Sequence, residues 1–220
     1  MTRHTLLLIS DTHIPARAPR LPRAVVEAIA EVDLVVHAGD WVDVATLDVL
    51  ERLSPRFVGV YGNNDHGELR DRLPEVARDE VEGLRVGVVH ETGQRTGRDE
   101  RMSALHPDLD VLVFGHSHIP WDTTTSTGLR LLNPGSPTDR RRQPHCTYMT
   151  ATADAGALQD LVQHDPVDEA AQPDAVHQAS GGGRWLAEMC AHTERYPAGA
   201  RSHDLVPAGG FRRHPCDLPP

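Results

Sequence analysis

The chain of 220 residues has few aromatic residues, few cysteines and no long apolar run. Aromatic residues make up only 4% of the chain, which leaves room for a segment without a packed core. Cys146, Cys190 and Cys216 lie far apart and form no CxxC pair, so nothing indicates a disulfide framework or a structural zinc site. The first apolar stretch, Leu6–Ile9, is too short for a signal-peptide core or a membrane span. We therefore expect a cytoplasmic protein with no membrane partner.

A basic surface is also lacking. The chain has 22 lysine and arginine residues against 32 aspartate and glutamate residues, for a net charge of −10. Proteins that bind nucleic acid through its phosphates need clustered basic residues. We therefore expect no nucleic-acid partner, and nuclease activity is disfavoured. A site for divalent cations would offset part of the acidic excess.

Short apolar runs alternate with helix-like segments through the first two-thirds of the chain. The runs predicted as buried strands are Thr5–Ile9, Leu34–His37, Phe57–Val60, Val86–Val89 and Val111–Phe114. The segments predicted as helices are Pro22–Ala30, Asp43–Leu53 and Arg98–Leu105. This alternation predicts a parallel-type sheet with helices against its faces.

Three later turns predict antiparallel hairpins. Gly83, Gly128 and Gly156 each lie between two runs with strand character. The predicted hairpin strands are Thr123–Thr127 with Leu129–Leu132, and Cys146–Ala153 with Ala157–Val162. Parallel and antiparallel pairing together predict a sandwich of mixed sheets.

The apolar periodicity is lost from about Asp165 onward. Prolines and glycines interrupt this segment, and only Arg184–Ala191 could form a short helix. We predict one domain over residues 1–164 and a largely disordered tail over residues 165–220.

A side chain that can bind metal follows each of the five predicted buried strands. These donors are Asp11, His13, Asp40, Asn63, His90, His116 and His118. Ligands of open α/β sheets gather at the carboxyl ends of the strands, so the five loops should converge on one crevice. Glycine precedes a donor in three of these loops, where it permits a close approach of the backbone.

Residues two apart in an extended segment point the same way. Asp11 and His13 can therefore face one ion together. The same holds for His116 and His118, although each could serve a different ion.

The chemistry of the donors indicates a transition-metal site. Two carboxylates, one amide and four imidazoles suit manganese, iron, zinc, cobalt or nickel better than magnesium or calcium. Seven donors are too many for one such ion but suit two, with Asp40 as the bridge. Two ions about 3.5–4 Å apart would generate a hydroxide and support an in-line displacement at phosphorus. We therefore predict hydrolysis of a small phosphoester with two divalent transition-metal ions, manganese being favoured.

The donors belong to an ordered set of motifs that resembles a known family. The motifs are SDTH (10–13), HAGD (37–40), GNND (62–65), His90, GHSHIP (115–120) and NPGS (133–136). Together they resemble the calcineurin-like metallophosphoesterases, and among these the small phosphodiesterases of the YfcE type. The likeness runs from Thr5 to about Val162.

The resemblance implies an α/β (α+β) fold, a two-layer mixed β-sandwich flanked by helices. It implies a first metal at Asp11, His13 and His118, a second at Asn63, His90 and His116, and Asp40 between them. Asp40, Asn63 and His90 are expected to be catalytic as well. The NPGS motif is expected to support the site rather than to take part in the chemistry.

Two positions depart from the family pattern. Many relatives have a histidine that protonates the leaving group where this chain has Asn64. Asparagine cannot act as a general acid near neutral pH, so aryl phosphodiesters should be better substrates than alkyl ones. His66, which follows Asp65, could replace that acid, but this is the less favoured interpretation. Glu91 stands where relatives usually have glycine, and we expect it to be a solvated loop acid rather than a group near the metals.

The remaining polar residues are assigned structural or surface positions. His37 should be a buried residue that orients Asp40 or a neighbouring ligand. His106, His145 and His164 are expected at the surface, and Arg140–Arg142 is expected to be a solvated basic patch rather than a phosphate contact.

A non-catalytic interaction scaffold is the alternative function, because the retromer subunit with this fold also lacks the general-acid histidine. The complete set of seven donors favours an enzyme.

Overall fold

The computed structural model describes residues 3–166. The strands are β1 (His4–Ile9), β2 (Leu34–His37), β3 (Phe57–Gly59), β4 (Val76–Val81), β5 (Leu84–Val89), β6 (Val111–Val113), β7 (Trp121–Thr124), β8 (Arg130–Asn133), β9 (Tyr148–Asp154) and β10 (Ala157–His164). The helices are α1 (Arg23–Glu31), α2 (Val44–Leu53), α3 (Glu68–Arg72) and α4 (Arg98–Leu105). Apart from Asp165 and Pro166, the predicted tail, with its helix Arg184–Ala191, lies outside the described residues.

The strands form two five-stranded sheets, with the orders β10-β9-β1-β2-β3 and β4-β5-β6-β8-β7. Strands β1, β2 and β3 are parallel, and so are β5, β6 and β8. Strands β9, β10, β4 and β7 join the sheets in antiparallel pairs. The prediction of a sandwich with mixed sheets is therefore confirmed.

The main core lies between the two sheets. Leu6 and Leu8 of β1 belong to the same buried cluster as Val86 and Val88 of β5 and Val113 of β6. Because side chains alternate along a strand, these residues all lie on the face of their strand that points toward the other sheet. A fully buried side chain of this kind contributes about 1.5–3 kcal/mol through the hydrophobic effect.

The other face of each sheet is covered by helices. Leu7 and Ile9 of β1 pack in a second cluster with Val25 of α1 and Leu47 and Leu50 of α2. A third cluster joins residues of β6 and β8 to Met102 of α4. Strands covered on both faces are apolar throughout, which explains the continuous runs in the sequence. No helix within residues 3–166 is long and apolar enough to cross a membrane.

Most predicted elements are present, with two differences. Helix α3 was missed because only Leu69 of its five residues is buried, so it has no apolar periodicity. Strand β7 begins at Trp121 and ends at Thr124, whereas the sequence predicted Thr123–Thr127. Thr125 instead begins the turn, where its backbone N–H donates to Leu129 at 2.9 Å.

Two of the three histidines expected at the surface are not fully exposed. His106 is buried at the C-terminus of α4, where it follows the last helical turn. His164 is partly buried, and its ring stacks on Tyr148 with centroids 4.8 Å apart. Only His145 is exposed as predicted. The apolar periodicity of α4 and β10 is too weak to indicate which of their polar neighbours are covered.

Candidate metal centre

The structure brings all seven predicted donors together at one edge of the sandwich. The loops that carry them follow β1, β2, β3, β5 and β6, which are parallel strands. The carboxyl ends of parallel strands meet at the same edge of a sheet. The predicted convergence of the five loops is thus present.

A first group of donors is fully enclosed. Nε2 of His118 lies 3.3 Å from Asp11 Oδ1 and 3.2 Å from His13 Nε2. The ligand atoms of these three residues all lie within 4.8 Å of one another, and the three side chains are buried. Three donor atoms this close to one another, two imidazole nitrogens and one carboxylate oxygen, suit a single transition-metal ion.

A second group lies at the solvent-exposed side. Asn63 Oδ1 is 3.0 Å from His90 Nε2 and 2.8 Å from His116 Nδ1. Glu91 joins this group, because one of its carboxylate oxygens lies 3.7 Å from His116 Nδ1. Glu91 is exposed, as expected, but it lies beside the donors rather than away from them. The sequence did contain a signal for this position of Glu91, because the residue directly follows the donor His90.

Asp40 lies between the two groups. Its Oδ2 atom is 3.4 Å from His90 Nε2 in the second group and 3.6 Å from His13 Nε2 in the first. Asp11, Asp40 and His90 also form a compact set of ligand atoms. A single carboxylate within reach of both groups is the geometry that a bridging ligand needs.

The backbone of the donor loops is strained. Asp11, His13, Asp40, His116 and His118 all have positive φ angles, between 44° and 69°. Non-glycine residues rarely adopt this left-handed conformation, and where they do the strain marks functional sites. The paired donors therefore converge through left-handed turns, not through the alternation of an extended segment that the sequence analysis assumed.

The glycines of the donor loops leave no room for a side chain. A Cβ atom on Gly62 would lie 2.4 Å from the backbone N of Asp40, and one on Gly115 would lie 2.8 Å from Asp11 Oδ2. Because the backbones of these loops approach so closely, their carboxylate and imidazole side chains can lie next to one another. The donor set and its cradle therefore fit divalent metal binding.

Hydrogen bonds aim the imidazoles at the donor groups. His90 Nδ1 donates to the Ala38 carbonyl at 2.7 Å, and His118 Nδ1 donates to the Asp139 carbonyl at 2.6 Å. In each ring Nε2 is thereby directed into the site, as is usual for metal-binding histidines. His37 is fully buried, as predicted, and its Nδ1 accepts from the Gly39 N–H at 3.1 Å.

Asp65, the last residue of GNND, supports the site without belonging to the donors. Its buried carboxylate accepts four backbone hydrogen bonds at 2.7–3.0 Å, from the N–H groups of Asp40, Trp41, Val42 and Gly62. These bonds hold the loop after β2 against the loop after β3. The sequence analysis missed this role, because an aspartate in a turn usually bonds its own loop.

The NPGS motif has the supporting role that was expected. Asn133 Nδ2 donates to the Gly115 carbonyl at 2.8 Å, and Ser136 Oγ donates to the Asp11 carbonyl at 2.7 Å. The motif thus ties the loops of His116 and Asp11 together.

Asn64 binds Asp40 directly. Its backbone N–H donates to Asp40 Oδ1 at 2.8 Å, and its side-chain amide donates to Oδ2 at 2.6 Å. Asn64 therefore orients the central carboxylate and holds its negative charge. His66 is exposed.

The comparison with known families identifies the superfamily of the chain. The model of the calcineurin-like phosphoesterase superfamily domain matches residues 5–156. The chain belongs to this superfamily. The match includes all seven donors and ends just before β10, and it confirms the resemblance to this superfamily seen in the motifs.

Individual proteins named metallophosphoesterase or phosphodiesterase also resemble the chain. A probable metallophosphoesterase of Methanothermobacter thermautotrophicus is 40% identical over 133 residues, which cover 60% of this chain and 76% of that protein. A phosphodiesterase of Methanocaldococcus jannaschii is 27% identical over 165 residues, covering 69% of this chain and 90% of that protein.

Solved structures show the same fold. A Thermotoga maritima protein superposes with a TM-score of 0.59 at 33% identity. The superposition covers 74% of this chain and 99% of that protein. Vacuolar Protein Sorting 29 of Cryptosporidium parvum has a TM-score of 0.62 at 19% identity and covers 75% of this chain and 100% of its own. The latter likeness concerns the fold alone.

The charges within the site shift the pKa values of its central residues in opposite directions. Burial alone would raise the pKa of Asp40, but hydrogen bonding and charge attraction with His90, and hydrogen bonds from Asn64, hold it well below its usual range. Burial alone would lower the pKa of His90, but Asp40 and the charge of Asp11 raise it to about 9. Burial is the main cause that lowers the pKa of His13. At neutral pH and without a bound cation, these shifts favour the doubly protonated, cationic imidazole of His90 and the neutral imidazole of His13.

The substitution Asp65→Asn should destabilise the domain. It removes the charge from a buried acceptor of four N–H groups, and it replaces one carboxylate oxygen by an amide nitrogen that faces two of them. We expect a loss of about 3 kcal/mol in the free energy of unfolding, measured by urea denaturation with a chelator present. Asp122→Asn, which removes an exposed ion pair with Arg130, should cost less than about 1 kcal/mol. Equal effects of the two substitutions would contradict this role of Asp65.

Metal binding should release the proton of His90. Because the folded pKa of about 9 exceeds the ordinary value, the ring is protonated at pH 7.5, and a cation at Nε2 must displace that proton. Affinity for manganese should therefore rise with pH up to about 9 and then level off. Calorimetric titration in buffers of different ionisation enthalpy should show about one proton released at pH 7.5.

The variant His90→Gln should abolish that proton release, whereas His145→Gln, at an exposed position, should leave it unchanged. Binding heats that do not depend on the buffer in the unmodified chain would refute the prediction.

Proposed function

We propose that this calcineurin-like phosphoesterase is a phosphodiesterase that hydrolyses a small phosphoester with two divalent transition-metal ions, manganese being favoured. The observation that carries the proposal is the position of Asp40, whose Oδ2 atom lies within 3.6 Å of a histidine of each donor group. The relatives named metallophosphoesterase and phosphodiesterase support the same reaction class.

One ion would be held by Asp11, His13 and His118, and the other by Asn63, His90 and His116. Both ions would share Asp40. Bound there, the ions would activate water and offset the charge on the phosphoryl oxygens. The residues of the chain keep the donors in place: Asn64 holds the Asp40 carboxylate through two hydrogen bonds. Glu91 adds a carboxylate to the second group.

A cavity of about 470 Å³ lies beside the second donor group and can take an organic group of the substrate. Its lining includes three residues of the second donor group, Asn63, His90 and Glu91. It also includes four apolar side chains, those of Val76, Val89, Met102 and Leu105. These apolar side chains suit an aryl or alkyl group of a phosphodiester.

The interaction of Asn64 with Asp40 is consistent with a preference for good leaving groups. The amide is engaged with a carboxylate, and an amide cannot donate a proton near neutral pH. Aryl phosphodiesters, whose leaving groups depart as stable anions, need no such proton.

The test is an assay of bis-p-nitrophenyl phosphate with the purified chain and added manganese. We expect about two metal ions per chain and turnover that falls by several orders of magnitude in Asp40→Asn and His116→Ala, because ligands of the ions are lost. Asp48→Asn, the same chemical change at an exposed position of α2, should keep metal content and turnover.

Tight metal binding without turnover of any phosphoester would instead favour the non-catalytic scaffold. The fold is compatible with that function, since Vacuolar Protein Sorting 29 of Cryptosporidium parvum shares it.

A further inference from the structure

A second cavity, of about 540 Å³, has a basic wall. The cavity is lined by Arg17, Ser117, Ile119, Asp139, Arg141 and Arg142, together with Gln143. Ser117 lies between the donors His116 and His118 in the chain. The cavity therefore adjoins the candidate metal centre.

The loop that carries Arg141 and Arg142 is tied to the donors. Nη1 of Arg141 donates to the His116 carbonyl at 2.9 Å, and His118 Nδ1 donates to the Asp139 carbonyl at 2.6 Å. Arg141 is close enough to lower the pKa of His13 by its charge, although burial is the main cause. Its φ angle of 48° is a further left-handed conformation next to the donors, which marks a constrained position.

The positive charge of this wall is only partly neutralised. Among the residues that line the cavity, all within the described range, Asp139 is the one acid. Its carboxylate lies 3.4 Å from Arg17 Nε and accepts from the Arg141 backbone N–H at 3.1 Å. The cavity is thus lined by three guanidinium groups and one carboxylate. This local excess of positive charge is opposite in sign to the net charge of the chain, which is −10.

We propose that this cavity is an anion subsite, and that the substrate is a phosphodiester with a second anionic group on its non-leaving arm. This inference rests on the proposed function. The phosphodiester would lie at the donors, its apolar arm in the cavity beside Asn63 and Glu91, and its anionic arm against Arg141 and Arg142. Guanidinium groups are suited to carboxylate and phosphate because their N–H groups bind two oxygens side by side.

This assignment revises the expectation for the arginine run. Arg141 and Arg142 line the cavity, whereas Arg140 does not and donates to the Gln143 carbonyl at 3.1 Å. Neighbouring arginines of the same run therefore provide a matched pair for an experiment.

The test compares two substrates with the same leaving group, p-nitrophenyl 2-carboxyethyl phosphate and p-nitrophenyl propyl phosphate. Without a subsite, the acidic chain should disfavour the substrate with the extra negative charge. We expect the opposite: with manganese present, the carboxylate substrate should have a kcat/KM at least about tenfold higher, mainly through KM. Added salt should reduce this preference.

Arginine variants test whether the preference for the carboxylate substrate arises from this cavity. Arg142→Gln should reduce it to less than about threefold, and Arg142→Lys should retain part of it, because the charge remains but the paired N–H donors are lost. Arg140→Gln, an equal change of charge two positions away, should keep the preference of the unmodified chain. A general loosening of the loop would instead affect both substrates alike.

The proposal is overturned if the unmodified chain does not prefer the carboxylate substrate, or if Arg142→Gln retains the full preference. If the manganese-loaded chain hydrolyses neither substrate, the proposed function itself fails and the subsite with it. These outcomes are distinguishable, because the propyl substrate reports hydrolysis without the second anion.

Discussion

The candidate metal centre depends on the hydrogen bonds that the buried Asp65 carboxylate accepts from two loops. Four backbone N–H groups converge on it, three of them in the loop after β2 and one in the loop after β3. Hydrogen bonds to an ionised acceptor are stronger than those between neutral groups. They hold Gly62 against Asp40 so closely that a side chain at position 62 would collide with the carboxylate. The central ligand position is thus built by backbone contacts rather than by the donors alone.

A second constraint is the left-handed conformation of five donors, Asp11, His13, Asp40, His116 and His118. Each such residue costs of the order of 1 kcal/mol or more, and the surrounding structure must supply that energy. The burial of both faces of the sheets and the bonds from the NPGS motif to the donor loops do so here. The strained residues lie in three of the five donor loops, and they bring their ligand atoms close to one another and to those of Asn63 and His90. The site thereby has two donor groups with one carboxylate between them.

Much of the fold and of the donor set could be predicted from the sequence, because both follow from local patterns. Buried strands are continuous apolar runs, and each donor stands directly after one of them. What could not be predicted depends on contacts between distant residues. Asp65 looks like an ordinary turn acid until the loop after β2 is placed beside it. The exposed Glu91 is likewise recognised as a neighbour of the donors only once His116, from the loop after β6, is placed beside it. Short α3 and the buried His106 carry no periodic signal.

The central claim is that two metal ions occupy this edge and share Asp40, and anomalous diffraction from crystals of the chain grown with manganese tests it most directly. The account predicts two anomalous peaks about 3.5–4 Å apart, one bounded by Asp11, His13 and His118, the other by Asn63, His90 and His116, with the Asp40 carboxylate between them. A single peak, or two peaks with Asp40 turned away from one of them, would contradict it.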